Sequence, residues 1–403
     1  MKDRYCCSIM KSGYYPYNFS NTMSPGQTII INAGLNPVPP IISNIAVNNI
    51  TNNSATITWT TDQASDSLVE YGTTLSYGTS VADSTLTTNH SIILTGLNMG
   101  TMYHFRVTST NALNASSTSS DYTFTTYSPI TLTITSPLNG DTINKPYVMV
   151  KGTVTNTTGN ETGVTVNGMV ATVYGTQFIA NNIPLADGLN TITVTATDTA
   201  GNTATTSITV NAVTTGNYIQ LTANPESGIS PLEATLKIDG SFSITNSTIT
   251  YTGPAQPETL YSSVDEYRLK LTTEGVYYFT ATVTGPDANT YQDTVAIIVL
   301  NATQLDALLR GKWNAMTNRL SAKDITTALT YISPSTSAIY QQMYSAIIDQ
   351  LPAMVATQTG FELVSIKDNV AIYNLVTLEN GEAFSYKVFF IKNANGLWMI
   401  QDF

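Results

Sequence analysis

The stretch TGLNMGTMYHFRVTS, residues 95–109, decides the fold of the first half of the chain. Within it, Tyr103 and Phe105 alternate with His104 and Arg106. Side chains of a β-strand point alternately to the two faces of a sheet, so the aromatic pair must face a core while His104 and Arg106 lie on the outside. The stretch therefore predicts a half-buried strand of a β-sandwich and not a fragment of an active site.

The chain contains two histidines, His90 and His104. Histidine is the most common transition-metal ligand and titrates near neutrality, so each is a candidate site residue. His104 lies on the outer face of the strand just described. His90 opens the preceding apolar run, HSIILTGL, in the same way. We expect both histidines to be surface or strand-end residues with no catalytic duty.

The composition limits the class of protein. A chain of 403 residues suggests about three domains at roughly 150 residues each. Charged residues make up only 11% of the chain, against about 25% in typical proteins, and hydrophobic residues make up 42%. The net charge of −11 is spread without a basic patch, which argues against nucleic-acid binding. No apolar run reaches the roughly 20 residues of a membrane span.

The first residues, MKDRYCCSIM, differ in character from the rest. Cys6 and Cys7 are adjacent, and adjacent cysteines rarely bridge each other or suffice for a metal cage, so we expect incidental thiols. The segment lacks an apolar signal region and a cleavage site, whereas the later domains look secreted. We expect a piece of a longer exported protein, or an internal start, located outside the cell or at its surface.

Residues 1–37 contain KSGYYPYNFSNTMSPGQTIIINAGL at positions 11–35, which indicates two short strands around a Pro-Gly turn. The segment resembles the last strands of a carboxypeptidase-regulatory-like (transthyretin-like) domain. That resemblance implies a partial remnant, too short to bury its own core, which packs on its neighbour or stays mobile.

Residues 38–127 follow a proline-rich boundary and consist of short alternating segments whose number and spacing predict a sandwich. This region resembles the fibronectin type III family through Trp59, VEYG at 69–72, Leu97, Gly100, Thr101 and Tyr103. The same module precedes the catalytic domain of purple acid phosphatase-like enzymes. Those enzymes need several histidine, aspartate and asparagine ligands, and no histidine follows residue 127, so the resemblance implies a fold and no chemistry.

Residues 128–212 alternate β-branched residues with threonine and carry Asn-Gly, Asp-Gly and Gly-Asn pairs where hairpins must turn. The region resembles the bacterial immunoglobulin-like domains of surface proteins and secreted glycosidases. Asp198, Gly201 and Asn202 suit either a calcium-binding corner or a tight turn. One acid is little for calcium, so the turn is favoured and structural calcium near Asp198 is the weaker alternative.

Residues 213–300 predict a third sandwich. The segments NPESGISPLEATL, residues 224–236, and EGVYYFTATVTGPD, residues 274–287, resemble the entry and the late hairpin of a divergent polycystic-kidney-disease-type (PKD) domain. The aromatic-Asp-Gly-Asp centre of that family is absent, so the alternation around Tyr277 and Phe279 carries most of the argument for a sandwich.

Residues 301–403 change to a helical period. Thr303 and Asp306 are spaced as a capping pair, a second helix is expected from Ser321, and a third is expected to end at Pro352. Four strands follow, with Asn-Gly turns. This order predicts an α+β unit and resembles the nuclear-transport-factor-2-like (SnoaL-like) cone fold, in which Gly396 and Trp398 would belong to the closing strand. One stripe of the first helix is apolar: Leu305, Leu308, Leu309, Met316 and Leu320.

Chemistry in this last region would need an acid or base in the mouth of the cone. Asp324, Asp349 and Glu362 are its candidate acids, although Asp324 also suits a helix N-terminus. Trp313 suits either a ligand pocket or, more often on an amphipathic helix, a core. We assign no catalytic, cofactor-binding or metal-ligating residue to the chain.

The predicted fold is multidomain and mainly β, with tandem sandwiches followed by an α+β domain. The sequence favours a non-catalytic extracellular scaffold, structural or adhesive, that contacts other proteins or extracellular polysaccharide. It leaves open a homo-oligomer or a part of a larger polypeptide. Two alternatives remain: an accessory region of a secreted hydrolase that binds carbohydrate, and a ligand-binding or enzymatic C-terminal domain. An interior pocket would favour the latter, and a filled interior would count against it.

Overall fold

The computed structural model describes residues 3–24 and 26–403. The chain divides into two compact units, Met1–Pro129 and Ile130–Phe403. It is mainly β, with tandem sandwiches followed by an α+β module, which confirms the predicted fold class. The finer boundaries predicted above stay predictions.

The first unit begins with a hairpin of β1 (Asp3–Ile9) and β2 (Tyr17–Met23), which are antiparallel. The sequence predicted a strand on each side of a Pro-Gly turn; the strand before the turn is present as β2, and the strand predicted after it is wrong. The partner of β2 lies upstream, because β1 supplies a complementary run of seven residues, and residues 27–36 contain no strand. Pro25 lies outside the described residues.

The sandwich of the first unit is organised by one long strand. The first half of β4 pairs with β3 and the end of β5, and its second half pairs with β6 and the beginning of β5, so the same strand contributes to both layers. Trp59 and Phe105 are fully buried between these layers. Its strands are β3 (Ile42–Asn48), β4 (Ser54–Gly72), β5 (Thr79–Thr95), β6 (Met102–Thr110), β7 (Ser116–Thr118) and β8 (Tyr122–Thr125).

Strand β6 confirms that the stretch over residues 95–109 contains a half-buried strand. Tyr103 and Phe105 are buried, whereas His104 and Arg106 are partly exposed on the other face. The Tyr103 hydroxyl accepts a hydrogen bond from the Asn98 backbone N–H at 2.9 Å. A tyrosine bonded back to the upstream backbone at this corner is a hallmark of immunoglobulin-like sandwiches.

The second unit opens with a two-sheet sandwich, ordered β10-β17-β16-β12-β13 and β14-β15-β11-β9. Asn167 and Gly168 have φ of 48° and 81° and form the tight turn between β12 and β13, as their sequence indicates. The strands are β9 (Ile130–Ser136), β10 (Thr142–Ile143), β11 (Tyr147–Asn156), β12 (Thr162–Val166), β13 (Met169–Val170), β14 (Thr172–Tyr174), β15 (Gln177–Pro184), β16 (Gly188–Asp198) and β17 (Thr203–Ala212).

A further sandwich follows, with one sheet ordered β18-β20-β23-β22. Its other sheet starts β21-β24-β25-β19 and continues into the C-terminal module. Tyr277 and Phe279 lie in its core, as their alternation predicted. The strands are β18 (Ile219–Asn224), β19 (Ser227–Ile229), β20 (Leu232–Gly240), β21 (Thr248–Thr252), β22 (Glu258–Ser262), β23 (Glu266–Leu271), β24 (Gly275–Thr284) and β25 (Thr290–Leu300).

The C-terminal module packs helices on an antiparallel meander. The helices are α1 (Ala302–Ser321), α2 (Ile325–Ala328), a 3-10 turn (Leu329–Tyr331), α3 (Pro334–Ala346) and α4 (Leu351–Ala356). The strands are β26 (Gln358–Lys367), β27 (Val370–Glu379), β28 (Glu382–Lys392) and β29 (Trp398–Asp402). Leu309, Met316 and Leu320 of α1 are buried in the shared core, as the apolar stripe predicted.

The helix ends differ from those predicted. The N-cap of α1 is Asn301, whose side chain accepts from the Gln304 N–H, so Thr303 and Asp306 are not its capping pair. Asp306 instead accepts hydrogen bonds from Arg310 and Tyr373.

The second and third helices also begin or end elsewhere. Ser321 ends α1, and Lys323, with φ of 60°, breaks the helix before α2. The third helix ends at Ala346, and Pro352 lies in the first turn of α4, where its missing N–H costs nothing.

Candidate functional site

His104 lies on the outer face of β6, as predicted. Its Nδ1 is 2.8 Å from Oδ2 of Asp121 on the same face. The neighbouring Arg106 pairs with Glu70 at 2.6 Å and lies over the Tyr77 ring. These are exterior contacts of a sandwich.

His90 is buried, so the prediction of a surface position is wrong. Only 3% of the residue is exposed, and its ring stacks on Trp59 with centroids 4.8 Å apart. Nε2 is bonded to the Thr61 hydroxyl at 2.9 Å and Nδ1 to the Ser67 hydroxyl at 2.8 Å. Burial lowers the pKa of His90, although the charge of Asp66 opposes that shift. Both ring nitrogens of His90 therefore form hydrogen bonds inside the core of the sandwich.

The candidate acids of the last module do not meet. Asp324 caps α2 through the Thr327 N–H, as its position predicted. Asp349 pairs with Lys323 on the surface, and Glu362 is exposed on β26.

Trp313 belongs to the core of this module. Its ring stacks on Phe361 with centroids 4.8 Å apart and meets Phe403 edge-on at 5.0 Å. Phe361 in turn stacks on Tyr373 at 4.4 Å. Stacked rings thus fill the space between helix and sheet, which counts against a ligand pocket inside the module.

Asp198 forms the turn that the sequence favoured. Its Oδ1 accepts from the N–H groups of Ala200 and Asn202, both at 2.9 Å. Its Oδ2 accepts from the side-chain amides of Asn156 and Asn202 at 3.0 and 2.8 Å. Burial opposes its charge, but these hydrogen bonds outweigh burial and hold the pKa of Asp198 below its usual value.

One buried group of charged residues lies at the junction of the second sandwich and the C-terminal module. Glu161, just before β12, pairs with Lys312 of α1 at 2.6 Å. Its other oxygen accepts from the Trp398 backbone N–H at 2.8 Å. Both charged side chains are close to 90% buried, with 10% and 12% exposure. The chain thus places a buried ion pair between two modules, at residues that no motif in the sequence singled out.

Two glycines bring the backbones of these modules together. A Cβ at Gly163 would lie 2.1 Å from the Asn395 carbonyl oxygen and 2.6 Å from the Gly396 carbonyl carbon. Gly396 has φ of 81°, which suits a glycine turn between β28 and β29. Gly396 therefore allows the two modules to approach closely, and it also forms the turn that leads into the last strand of the sheet.

A cavity of about 220 Å³ opens beside this contact. Glu161, Tyr174, Gln304, Lys392 and Trp398 line it together with aliphatic side chains. Burial lowers the pKa of Lys392 to about 8, against the opposing charges of Glu161 and Asp368. The Lys392 ammonium lies 5.4 Å from the centre of the Trp398 ring. No local sequence pattern identifies Lys392 as a site residue, because the cavity is lined by residues of two modules.

Within residues 3–24 and 26–403, no group of three or more histidine, cysteine, aspartate or glutamate side chains is placed to hold a metal ion. No helix in that part of the chain has the length and apolarity needed to cross a membrane. Cys6 and Cys7 are free, exposed thiols on β1.

Two protein-family models match the chain. Residues 40–126 match the N-terminal domain of purple acid phosphatase, and residues 130–214 match domain B of glucodextranase. Both models describe immunoglobulin-like β-sandwiches. No curated protein matches the chain.

Solved structures that match the chain include fibronectin and titin domains and a bacterial adhesin. Fibronectin domains FN1–FN3 of chicken CNTN1 are 15% identical over 65% of this chain and 99% of that chain, with a TM-score of 0.22. A 1.5-MDa bacterial ice-binding adhesin is 16% identical over 66% and 100%, with a TM-score of 0.18. The I67–I69 fragment of titin is 8% identical over 66% and 99%, with a TM-score of 0.20.

Proposed function

We propose that this chain is a non-catalytic extracellular scaffold, structural or adhesive, in which β-sandwiches carry a C-terminal α+β interaction module. Its modules would be a transthyretin-like remnant over 1–37, a fibronectin type III sandwich over 38–127, a bacterial immunoglobulin-like sandwich over 128–212, a PKD-like sandwich over 213–300 and a nuclear-transport-factor-2-like module over 301–403. The two family matches and the Tyr103 corner support the first two sandwich assignments.

The observation that carries this proposal is a single eight-stranded sheet shared by the last two modules. The short strand β19 runs parallel to β25, with Ser227 opposite Ile298. On its other edge, β19 is antiparallel to β26, with Gly228 opposite Lys367. Because backbone hydrogen bonds continue across this joint, the C-terminal module cannot rotate freely on the sandwich before it.

Apolar packing reinforces the same joint. Ile298 and Leu300 of β25 belong to one core with Leu309 and Trp313 of α1. Ile179 of the second sandwich joins that core as well. Burial of each such side chain contributes about 1.5–3 kcal/mol, so separating the modules would expose a substantial apolar area.

Polar contacts fix the remaining geometry. The buried Asn181 side chain donates to the Ala296 carbonyl at 2.9 Å and accepts from the Ala296 N–H at 3.0 Å. Asp368 accepts from the N–H groups of Glu226 and Ser227 at 2.8 and 2.9 Å. These bonds are directional, so they select one arrangement of the modules.

A further ion pair joins the two sandwiches of the second unit. The Lys145 ammonium contacts the buried carboxylate of Asp293. The other oxygen of Asp293 accepts from the Leu221 N–H at 2.7 Å. A unit held at several joints suits a protein that presents a surface at a fixed orientation.

A glycine substitution tests the fixed junction. In the full chain, Gly163→Ala should open the contact with Asn395 and Gly396, because the new Cβ has no room. The matched control is Gly216→Ala, where a Cβ meets no atom within 4 Å. Hydrogen exchange should rise in β12 and β29 of the first variant only. Equal exchange in both variants would contradict a fixed module junction.

The match of residues 130–214 to glucodextranase domain B favours a second candidate, an accessory region of a secreted hydrolase that binds polysaccharide. Binding of the full chain to a glycan array separates the two. Saturable binding to one class of glucan would favour the accessory role. Absence of binding to any glycan would favour the scaffold.

A further inference from the structure

We propose that the cavity between the second sandwich and the C-terminal module binds a small amphipathic carboxylate, whose charged group pairs with Lys392. This inference goes beyond the scaffold function, because it assigns a ligand to the junction. It rests on the unpaired Lys392 ammonium, on the cavity and on the chemistry of its walls.

Two cations, Lys312 and Lys392, and two acids, Glu161 and Asp368, lie at the junction, but only Lys312 forms an ion pair there. Glu161 is already paired with Lys312 and bonded to the Trp398 N–H. Asp368, the other acid whose charge acts on Lys392, is bonded to two backbone N–H groups of the third sandwich. In the described part of the chain, the Lys392 ammonium forms no ion pair, and it lies 5.4 Å from the centre of the Trp398 ring.

Lys392 remains a cation at neutral pH. Burial lowers its pKa to about 8, so most molecules carry the charge at pH 7. A desolvated charge without a counter-ion is costly, and an anion that enters the cavity would offset that cost. The cavity therefore favours an anionic ligand over a neutral one.

The N-terminus of α1 adds to this preference. Asn301 and Gln304 line the cavity at the start of this 20-residue helix, whose first turn contains no acidic side chain. The positive end of a helix dipole favours negative charge within about one turn. The helix end and Lys392 therefore act in the same direction.

The walls and volume define the rest of the ligand. Most of the lining is apolar, including Val173, Leu305 and Trp398, while Tyr174 and Gln304 supply polar groups. A volume of about 220 Å³ corresponds to about seven water molecules at about 30 Å³ each. Glu161 also lines the cavity but is paired with Lys312, and a single unpaired cation among largely apolar walls suits a monocarboxylate with a short aliphatic or aromatic body better than it suits a hydrated dianion.

Calorimetric titration of the full chain at pH 7 tests the ligand class. The probes are hexanoate, benzoate and phenylacetate, and the control is benzamide, a neutral molecule with the shape of benzoate. At least one carboxylate should bind saturably with a Kd below about 10 mM, and benzamide should bind at least about tenfold more weakly than benzoate. The proposal is overturned if none of the three carboxylates saturates or if benzamide equals benzoate.

Three variants locate the binding. Lys392→Met should raise the Kd of the tightest-binding carboxylate at least about tenfold. Lys392→Arg keeps the charge, so its Kd should stay within about threefold of that of the unsubstituted chain. The control is Lys387→Met, which removes an exposed lysine of the same strand that is bonded to Asn374. Circular dichroism verifies that each variant is folded. Undiminished binding by the Lys392→Met protein would also overturn the proposal.

Discussion

Replacement of Lys392 by methionine should stabilise the folded chain at pH 7. Burial lowers the pKa of this lysine from 10.5 to about 8, and no carboxylate is paired with it in the described structure. At 1.36 kcal/mol per pH unit, the shift corresponds to an upper bound of about 3 kcal/mol. Because the side chain is partly exposed, solvent screening reduces this figure, and we expect a gain of about 1–2 kcal/mol.

The gain should depend on pH with a definite sign. The pKa of Lys392 is lower in the folded state, so between about pH 8 and 10.5 the unfolded chain binds the proton that the folded chain has lost. Stability of the unsubstituted chain therefore rises with pH across this window relative to the variant. The advantage of Lys392→Met is full below pH 8 and declines toward pH 10.5.

Urea denaturation of the full chain at pH 7 and pH 9.5 measures this effect. Tryptophan fluorescence reports the second unit through Trp313 and Trp398 and the first unit through Trp59, whose contribution should be the same in the variant and in the unsubstituted chain. Lys387→Met serves as the control, since that lysine is exposed and should change the free energy of unfolding by less than about 0.5 kcal/mol. The reasoning is refuted if Lys392→Met destabilises the chain at pH 7, or if its gain is the same at both pH values.

Three further outcomes are expected. His90→Gln should flatten the loss of stability below pH 6.5, because the folded-state pKa of His90 is lowered and protonation of the buried ring favours unfolding; an unchanged acid slope would contradict this. Tyr103→Phe should cost the first unit about 1–2 kcal/mol in denaturation, since the Asn98 N–H loses its acceptor, and should leave the second unit unchanged. Added calcium should leave the melting temperature unchanged relative to EDTA, because N–H donors already occupy both oxygens of Asp198; a calcium-dependent rise would restore the calcium alternative.

The alternation of apolar and polar residues is sufficient to predict which side chains of a sandwich strand face the core. Alternation placed Tyr103 and Phe105 in the core and His104 outside, as the structure has them. The error at His90 arose because the residue was treated as a strand opening. It lies within β5, where His90 shares a buried face with Ile92 and Leu94. The same alternation rule, applied to that segment, predicts a buried histidine.

The module junction could not be predicted from local patterns. Glu161 and Trp398 are 237 residues apart, and no periodicity relates them. The need for glycine at position 163 comes from the backbone near Asn395, which belongs to another module. The predicted start of α1 was wrong for a related reason. The N-cap Asn301 lies in the transition from β25 to α1 and is not part of the helical pattern itself.

The central claim is that the modules of the second unit are held as one block, and hydrogen exchange of the full chain with Ile400→Ala tests it. Ile400 is fully buried in the C-terminal core, so truncation should cost about 2–5 kcal/mol. The account predicts faster exchange in β24 and β25 as well as in β27 and β28, with β6 of the first unit unchanged. Faster exchange confined to residues 301–403 would contradict the claim.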